Sequence, residues 1–260
     1  MRISVVTPSL DQGAFLGATL RSVRESAALA VGVEVEHHVI DGGSHDESAT
    51  VLRAQNFASW VSEPDRGQSH AINKGFERAT GDLLCWLCAD DLWEPDTARI
   101  VADTFTANPA VQVIYGDFHF LEGDSGWKRL KQAGPFSVPR LLRRNFIGQP
   151  AAFWRRSVYE KFGGVDEQLR FCMDHEYWLR ICRLTTWRYV PRTLATCRLH
   201  ADAKTFGHIA PMWWEAARMG SRHGASPLLR FDAFRMQLYG QYFYRLKRVL
   251  LEKIGRRRAA

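Results

Sequence analysis

The sequence contains no long apolar run. Its longest stretches, such as Ala27–Val33, fall far short of the ~20 residues that span a bilayer, so no transmembrane segment is expected. Cysteine is scarce and odd in number: Cys85, Cys88, Cys172, Cys182 and Cys197 follow no disulfide-framework spacing and read as reduced thiols of a cytosolic protein. The pair Cys85-x-x-Cys88 lies in the apolar run Asp82–Cys88, which reads as a buried strand. Positions three apart on a strand face opposite sides, so the two sulfurs diverge and neither a redox nor a zinc role is expected. The opening run Met1–Pro8 has no signal-type apolar region, which also leads to a cytoplasmic expectation. Repeats, low-complexity tracts and linkers are missing. So are several chemical signatures: no Gly-x-x-x-x-Gly-Lys-Ser/Thr, no Gly-x-Gly-x-x-Gly after the first strand, no His-Glu-x-x-His and no Gly-x-Ser-x-Gly. P-loop, dinucleotide, zincin and nucleophile-elbow chemistry therefore drop out.

What is there fits a folded globular chain. At 260 residues with 46% hydrophobic and 24% charged residues, it can bury a core without disulfide or metal staples. Short β-rich runs alternate with helical ones: strands at Ile3–Thr7, Val35–Ile40, Ala58–Ser62, Leu83–Cys88 and Val111–Tyr115, helices at Ala14–Arg24, Asp46–Ala54, Gln68–Thr80 and Pro95–Thr106. This order predicts an α/β fold with a Rossmann-like, mostly parallel sheet flanked by helices. After Gly116 the alternation breaks. Phe118–Leu121 and Trp127–Lys131 read as antiparallel additions, Pro139–Arg144, Arg156–Phe162 and Asp174–Leu184 as helices, and Trp187–Val190 and Leu194–Leu199 as late strands.

Ligands of open parallel sheets bind beyond the carboxyl ends of the strands. Here those ends carry polar clusters: Thr7-Pro8-Ser9, Asp41-Gly42, Glu63-Pro64-Asp65-Arg66-Gly67, Asp90-Asp91 and Gly116-Asp117. Any one of them reads equally as turn and N-cap chemistry. Several at one edge crowd carboxylates that repel without a cation or ligand. Asp90-Asp91 is the sharpest, because adjacent carboxylates after a buried strand suit a hard divalent cation bridged to phosphate.

The runs Ser4-Val-Val-Thr-Pro-Ser9, Val39-Ile-Asp-Gly-Gly-Ser44, Ser62-Glu-Pro-Asp-Arg-Gly67 and Ala71-Ile-Asn-Lys-Gly75 resemble family 2 glycosyltransferases. So do Gly81-Asp82, Ala89-Asp-Asp91, Tyr115-Gly-Asp117, Gln149-Pro-Ala151, Gly163-Gly164 and Asp174-His-Glu-Tyr-Trp-Leu-Arg180, in the family's order over roughly residues 3–200. The resemblance implies a GT-A fold, a UDP-sugar or GDP-sugar donor, a Mg²⁺ or Mn²⁺ ion and inversion at the anomeric carbon. It also implies roles. Thr7, Pro8, Ser9 and Asp41 match the segments that hold the nucleotide. Asp65, Arg66 and Gly67 match the loop bordering the donor, and Lys74 matches a sugar or diphosphate contact, although a solvated lysine fits equally. Asp91 matches the metal ligand and Asp90 a ribose or sugar contact; Cys88 stands where relatives often carry Asp or Asn. Asp174 matches the catalytic base, whereas its position alone reads as a helix cap, and Met173 precedes it where many relatives carry a second acid. His200 matches a metal or diphosphate histidine, with a plain surface histidine as the other reading.

These roles imply direct displacement: Asp174 takes the acceptor proton while the metal and basic neighbours stabilise the leaving nucleoside diphosphate. The expected setting is bacterial-type polysaccharide or glycolipid biosynthesis, with a sugar or lipid-linked glycan as acceptor. Sugar-phosphate nucleotidyl transfer and basic nucleic-acid binding are the rival readings. The first lacks a Gly-rich basic loop after the first strand, and the second lacks a basic docking face in the first half, so no nucleic-acid partner is expected. His119, Phe120, Gln149, Trp154, Trp178, Trp213 and Trp214 could line a sugar cleft, but most tryptophans of a chain must be core, so none of them is assigned to the site.

Residues 1–205 read as the catalytic domain, with a nucleotide-sugar half over 1–117 and an acceptor half over 118–205, and residues 206–260 as a helical extension. Of the net charge of +7, the segment Arg245–Ala260 carries +6. It continues a helical stripe through residues 231–258 that either packs on the domain with a solvated basic end or lies on an anionic membrane. A peripheral position at the inner face of the cell membrane is the corresponding expectation for location.

Overall fold

Every residue of the first strand after Arg2 is buried, and that strand organises the molecule. In the computed structural model, which describes residues 1–122, 126–200 and 209–224, β1 (Arg2–Ser9) lies between β2 (Glu34–Asp41) and β4 (Leu83–Trp86), with β3 (Ala58–Ser62) beyond β2. All three of these pairings are parallel. A strand flanked and covered in this way reads as the continuous β-branched run Ile3, Val5, Val6. Helices α1 (Gly13–Ala28), α2 (Ser48–Arg53) and α3 (Gln68–Arg78) make the crossovers. α3 buries Ala71, Ile72, Gly75 and Phe76, and Gly75 is required by a close approach: a Cβ there would lie 2.2 Å from Val6 Cγ1. The backbone enters α3 through Gly67 at φ 119°, a left-handed conformation that a side chain would strain.

The second half of the sheet is mixed. The order is β3-β2-β1-β4-β8-β6-β9-β5, where β5 is Asp91–Trp93, β6 is Val113–Glu122, β8 is Ala152–Arg155 and β9 is Trp187–Leu199; β7 (Trp127–Lys131) hangs on β6. Short β8 wedges antiparallel between β4 and β6. Helices α4 (Thr97–Ala107), α5 (Val138–Arg143), α6 (Arg156–Phe162) and α7 (Met173–Ile181) flank it, and α8 (Ile209–Arg222) closes the described chain. The stripe over residues 231–258 lies outside the described residues.

Several expected boundaries shift for physical reasons. The fourth strand stops at Trp86, and Leu87–Asp90 turns out of the sheet before β5 begins at Asp91. Val111–Tyr115 and Phe118–Leu121 fuse into β6, and the two late strands fuse into β9. The apparent breaks are an irregularity where the parallel β6–β9 register jumps: Gly116 faces Val190, Asp117 faces Thr193 and Phe118 faces Ala195. Pro191, Arg192 and Leu194 are therefore extra residues on β9, and both strands lose their even alternation there. β8, at four residues, is too short to declare itself in sequence.

An aromatic cluster joins the two halves. Trp86 stacks on Trp178 of α7 with centroids 5.8 Å apart and meets Trp154 edge-on at 5.5 Å, with Phe76 and Tyr177 around them. Such pairs contribute roughly 1 kcal/mol each beyond burial. Trp154 and Trp178 are thus fully buried packing residues rather than sugar-stacking faces. None of the five cysteines forms a disulfide.

Candidate active site

Parallel register brings the ends of β1, β2 and β3 level, so Ser9 pairs with Asp41 and Asp41 with Ser62. Asp41 is buried and accepts from the Ser44 amide at 3.0 Å, the Ser44 hydroxyl at 2.5 Å and the Ser62 hydroxyl at 2.6 Å. It thereby fixes the Gly42–Ser44 turn. Ser9 is equally buried, yet its hydroxyl has no partner among the described residues. Thr7 points into the sheet, where its hydroxyl meets His37 Nε2 at 2.8 Å. Burial, with His38 nearby, pushes His37 down to about 3 and keeps it neutral. Pro8 is buried in β1 beside them.

The next loop folds back onto this edge. Asp65 accepts from the Gly67 amide at 2.7 Å, and its other oxygen sits where a Cβ on Gly42 would be, 2.6 Å away. Arg66 pairs with Glu167 at 2.6 Å, and Lys74 pairs with Glu63. Both cations expected to meet the donor, Arg66 of the loop and Lys74 of α3, are thus held by acids.

Beyond β4, Cys88 Sγ and the carboxylates of Asp90 and Asp91 lie within 4.8 Å of one another. Gln68, the first residue of α3, donates to Cys88 Sγ at 3.2 Å. Gln149 donates to the Trp86 carbonyl at 2.5 Å, which leaves its oxygen facing the same sulfur. The antiparallel pairing of Asp91 with Cys197 places Arg198 and His200 beside the acids. His200 Nε2 meets Asp90 Oδ2 at 3.0 Å while its ring packs on Phe15, and the Arg198 amide donates to Asp91 Oδ1 at 3.3 Å. The Arg198 guanidinium bonds instead to the carbonyls of Asp90 and Phe15 and to the Thr19 hydroxyl. Burial, reinforced by Asp90, raises Asp91 well above the usual carboxylate range. The pair is therefore short of positive charge: its two carboxylates fit a hard divalent cation, while the Cys88 thiol beside them is a softer donor.

Asp174, the second residue of α7, is like Asp91 an acid raised above its usual range. Its Oδ2 accepts from Asn145 Nδ2 at 2.7 Å and its Oδ1 from the His175 amide at 2.7 Å. Burial outweighs these bonds and pushes it up to about 6. The half-buried Cys197 thiol, raised by desolvation, also feels Asp91, Cys88, Asp90 and Asp174, so both acidic groups act on one sulfur.

The structure thus brings Asp90, Asp91 and His200 together, sets Asp174 within electrostatic reach of the same thiol, and aligns Ser9 with Asp41. Thr7, Arg66 and Lys74 are engaged elsewhere. Asn145, Gln68, Arg198 and Cys197 escaped the sequence reading. Only Arg198 left a signal there, as the neighbour of the Leu199-His200 pair on a polar strand end.

The sequence profile of Glycosyl transferase family 2 matches residues 4–163. The chain belongs to that family. An uncharacterized glycosyltransferase of Mycobacterium tuberculosis is 30% identical over 249 residues, covering 93% of this chain and 92% of the relative. A PGL/p-HBAD biosynthesis glycosyltransferase of Mycobacterium bovis is 30% identical over 185 residues, 68% of each chain. The fold is similar to that of S. aureus TarS solved with UDP-GlcNAc (TM-score 0.68, 12% identity, 92% of this chain and 72% of that one). It is also similar to the mannosyltransferase PcManGT of Pyrobaculum calidifontis solved with GDP-Man and Mn²⁺ (TM-score 0.62, 18% identity, 92% and 69%). The family 2 protein is accordingly a glycosyltransferase of GT-A type, which sets aside the nucleotidyltransferase and nucleic-acid readings. Among its described residues no helix is long and apolar enough to cross a membrane.

Proposed function

We propose that this glycosyltransferase moves a sugar from a UDP- or GDP-sugar to an acceptor hydroxyl, with inversion, aided by Mg²⁺ or Mn²⁺. The observation that carries the reading is Asp174: a half-buried carboxylate, oriented by Asn145 and raised to about 6 by desolvation, is ionised at neutral pH yet basic enough to accept a proton. Asp174 takes the acceptor proton as that oxygen attacks the anomeric carbon, and the bond to the nucleoside diphosphate breaks on the opposite face.

Asp91 and Asp90 are the residues that would hold the cation, with Cys88 as a third donor and His200 alongside. When bound, the cation neutralises charge developing on the departing diphosphate. On the donor side the unpartnered Ser9 hydroxyl and the backbone at the Gly67 entrance to α3 suit a nucleotide and its phosphates. Thr7, Pro8, Asp41 and Asp65 shape that wall, and Arg66 and Lys74 would exchange Glu167 and Glu63 for diphosphate. UDP-GlcNAc in TarS and GDP-Man with Mn²⁺ in PcManGT support a nucleotide-sugar donor. The PGL/p-HBAD biosynthesis relative supports a glycolipid-type acceptor. Such an acceptor would be met at the inner membrane face, and the basic amphipathic sequence of residues 231–258 suits that contact.

Thermal shift against UDP, GDP and oligonucleotides, with and without Mn²⁺, tests this. Stabilisation by one nucleoside diphosphate that needs Mn²⁺ is expected, and stabilisation by neither refutes the donor assignment.

A further inference from the structure

We propose that Glu215, on α8, is a positioning residue for Asp174: it holds the three backbone amides that lead into α7, where the helix's own cap residue makes no side-chain bond. The proposal rests on the reading of Asp174 as the base. A helix leaves its first amide groups without intrahelical acceptors, and an oxygen-bearing residue at the cap position commonly answers them. The cap position of α7 is Cys172, whose side chain makes no cap bond. Glu215 reaches in from another helix and fastens the backbone just ahead of that end, up to the cap residue itself. Its Oε2 accepts from the Arg170 amide at 2.8 Å, and its Oε1 accepts from the Phe171 amide at 2.7 Å and the Cys172 amide at 2.6 Å. The Cys172 thiol donates to the Met212 carbonyl on the same helix at 3.7 Å.

This grip falls immediately before Asp174, and it completes a two-sided hold on the loop that presents the base. From α3, Asn73 bonds Val165 in both directions at 3.0 and 2.9 Å, and Ser69 donates to the Leu169 carbonyl at 2.8 Å. Glu215 fixes the remaining stretch from the other side. α8 is fastened to the same region at its far end, where His223 meets Glu176 at 3.2 Å and Arg222 meets Asp166 at 3.4 Å. The groups around Asp174 are the Asn145 amide, the Cys172 and Cys197 thiols, the His175 amide and Glu215. The Glu215 charge adds to burial in holding the Asp174 carboxyl up.

The test uses the full chain with Glu215→Ala, Glu215→Gln and, as reference, Asp174→Asn. One readout is ¹³C NMR titration of the Asp174 carboxyl, which needs no substrate. The other is nucleoside diphosphate release from UDP-GlcNAc and from GDP-mannose, each with Mn²⁺. Displacing the base by about an ångström should lower kcat about 100-fold in Glu215→Ala, with donor KM nearly unchanged. Glu215→Gln keeps one acceptor oxygen without the charge, so its loss should be smaller, roughly tenfold, and the Asp174 midpoint should move down from about 6. A midpoint unmoved in both Glu215 variants, or a folded Glu215→Ala with parental kcat, overturns the proposal. Asp174→Asn separates the two readings. Parental turnover in that variant removes the base assignment, whereas an inactive Asp174→Asn beside unaffected Glu215 variants removes only the positioning role.

Discussion

Asp174→Asn should make the protein more stable while abolishing transfer. An exposed aspartate titrates near 3.9, and desolvation of the half-buried Asp174 carboxyl pushes it up to about 6. The native state therefore binds a proton more readily than the unfolded chain, and parental stability falls as pH rises from about 4 through about 6. At about 1.4 kcal/mol for each tenfold change, ionised Asp174 costs the folded protein about 3 kcal/mol at neutral pH. Asparagine is isosteric, carries no charge, and keeps an oxygen for the Asn145 or His175 donor. The gain should approach that figure, or roughly 5–10 °C in Tm for a chain of this size. The assay is urea unfolding of parent and variant at several pH values between 4 and 8. The difference should be small at pH 4, grow through about pH 6 and level above it. A variant equally stable or weaker at pH 7.5, with a difference that ignores pH, would refute the reasoning.

Three further outcomes follow from the same geometry. Parental kcat should decline as pH drops through about 6, as Asp174 protonates, and a flat profile down to pH 5 in nucleoside diphosphate release would count against it as the base. Co²⁺ titration should show a near-ultraviolet sulfur-to-cobalt band that Cys88→Ser removes while visible d–d bands persist; a band unchanged by that substitution puts the sulfur outside the site. Gly75→Ala drives a Cβ to 2.2 Å from Val6 Cγ1, and should cost about 1–3 kcal/mol by urea unfolding, with a neutral result showing that α3 can lift off β1.

The nucleotide-side architecture was legible because its signals are local. Strand runs such as Ile3–Thr7 and Ala58–Ser62 end in turn residues, and the helices between them carry clear apolar faces. Asp90, Asp91 and Asp174 could be picked out because ordered motifs surround them. What the sequence concealed depends on distant pairing. β5 is three residues long and exists only because β9 pairs with it, and the same pairing delivers Arg198 to Asp91. Asn145 sits in an unpatterned loop and reaches Asp174 across 29 positions of chain. Nor does the motif around Thr7 reveal that strand phase turns its hydroxyl inward to His37. No residue pattern reveals that Arg66 and Lys74 are already matched to acids.

The irregular register between β6 and β9 has a consequence for how this protein can change over evolution. Three residues of β9 are accommodated between the partners of Gly116 and Phe118, and the count sets which way everything after them faces. Side chains on a strand alternate, so losing one residue between Val190 and Ala195 would turn Cys197 and Arg198 over together. The Cys197 thiol would face away from the acids and the Arg198 guanidinium would leave its carbonyls. Exchanges of side chain at Arg192, which is exposed, should be absorbed far more readily. Relatives that diverge freely in composition along this stretch should therefore conserve its length.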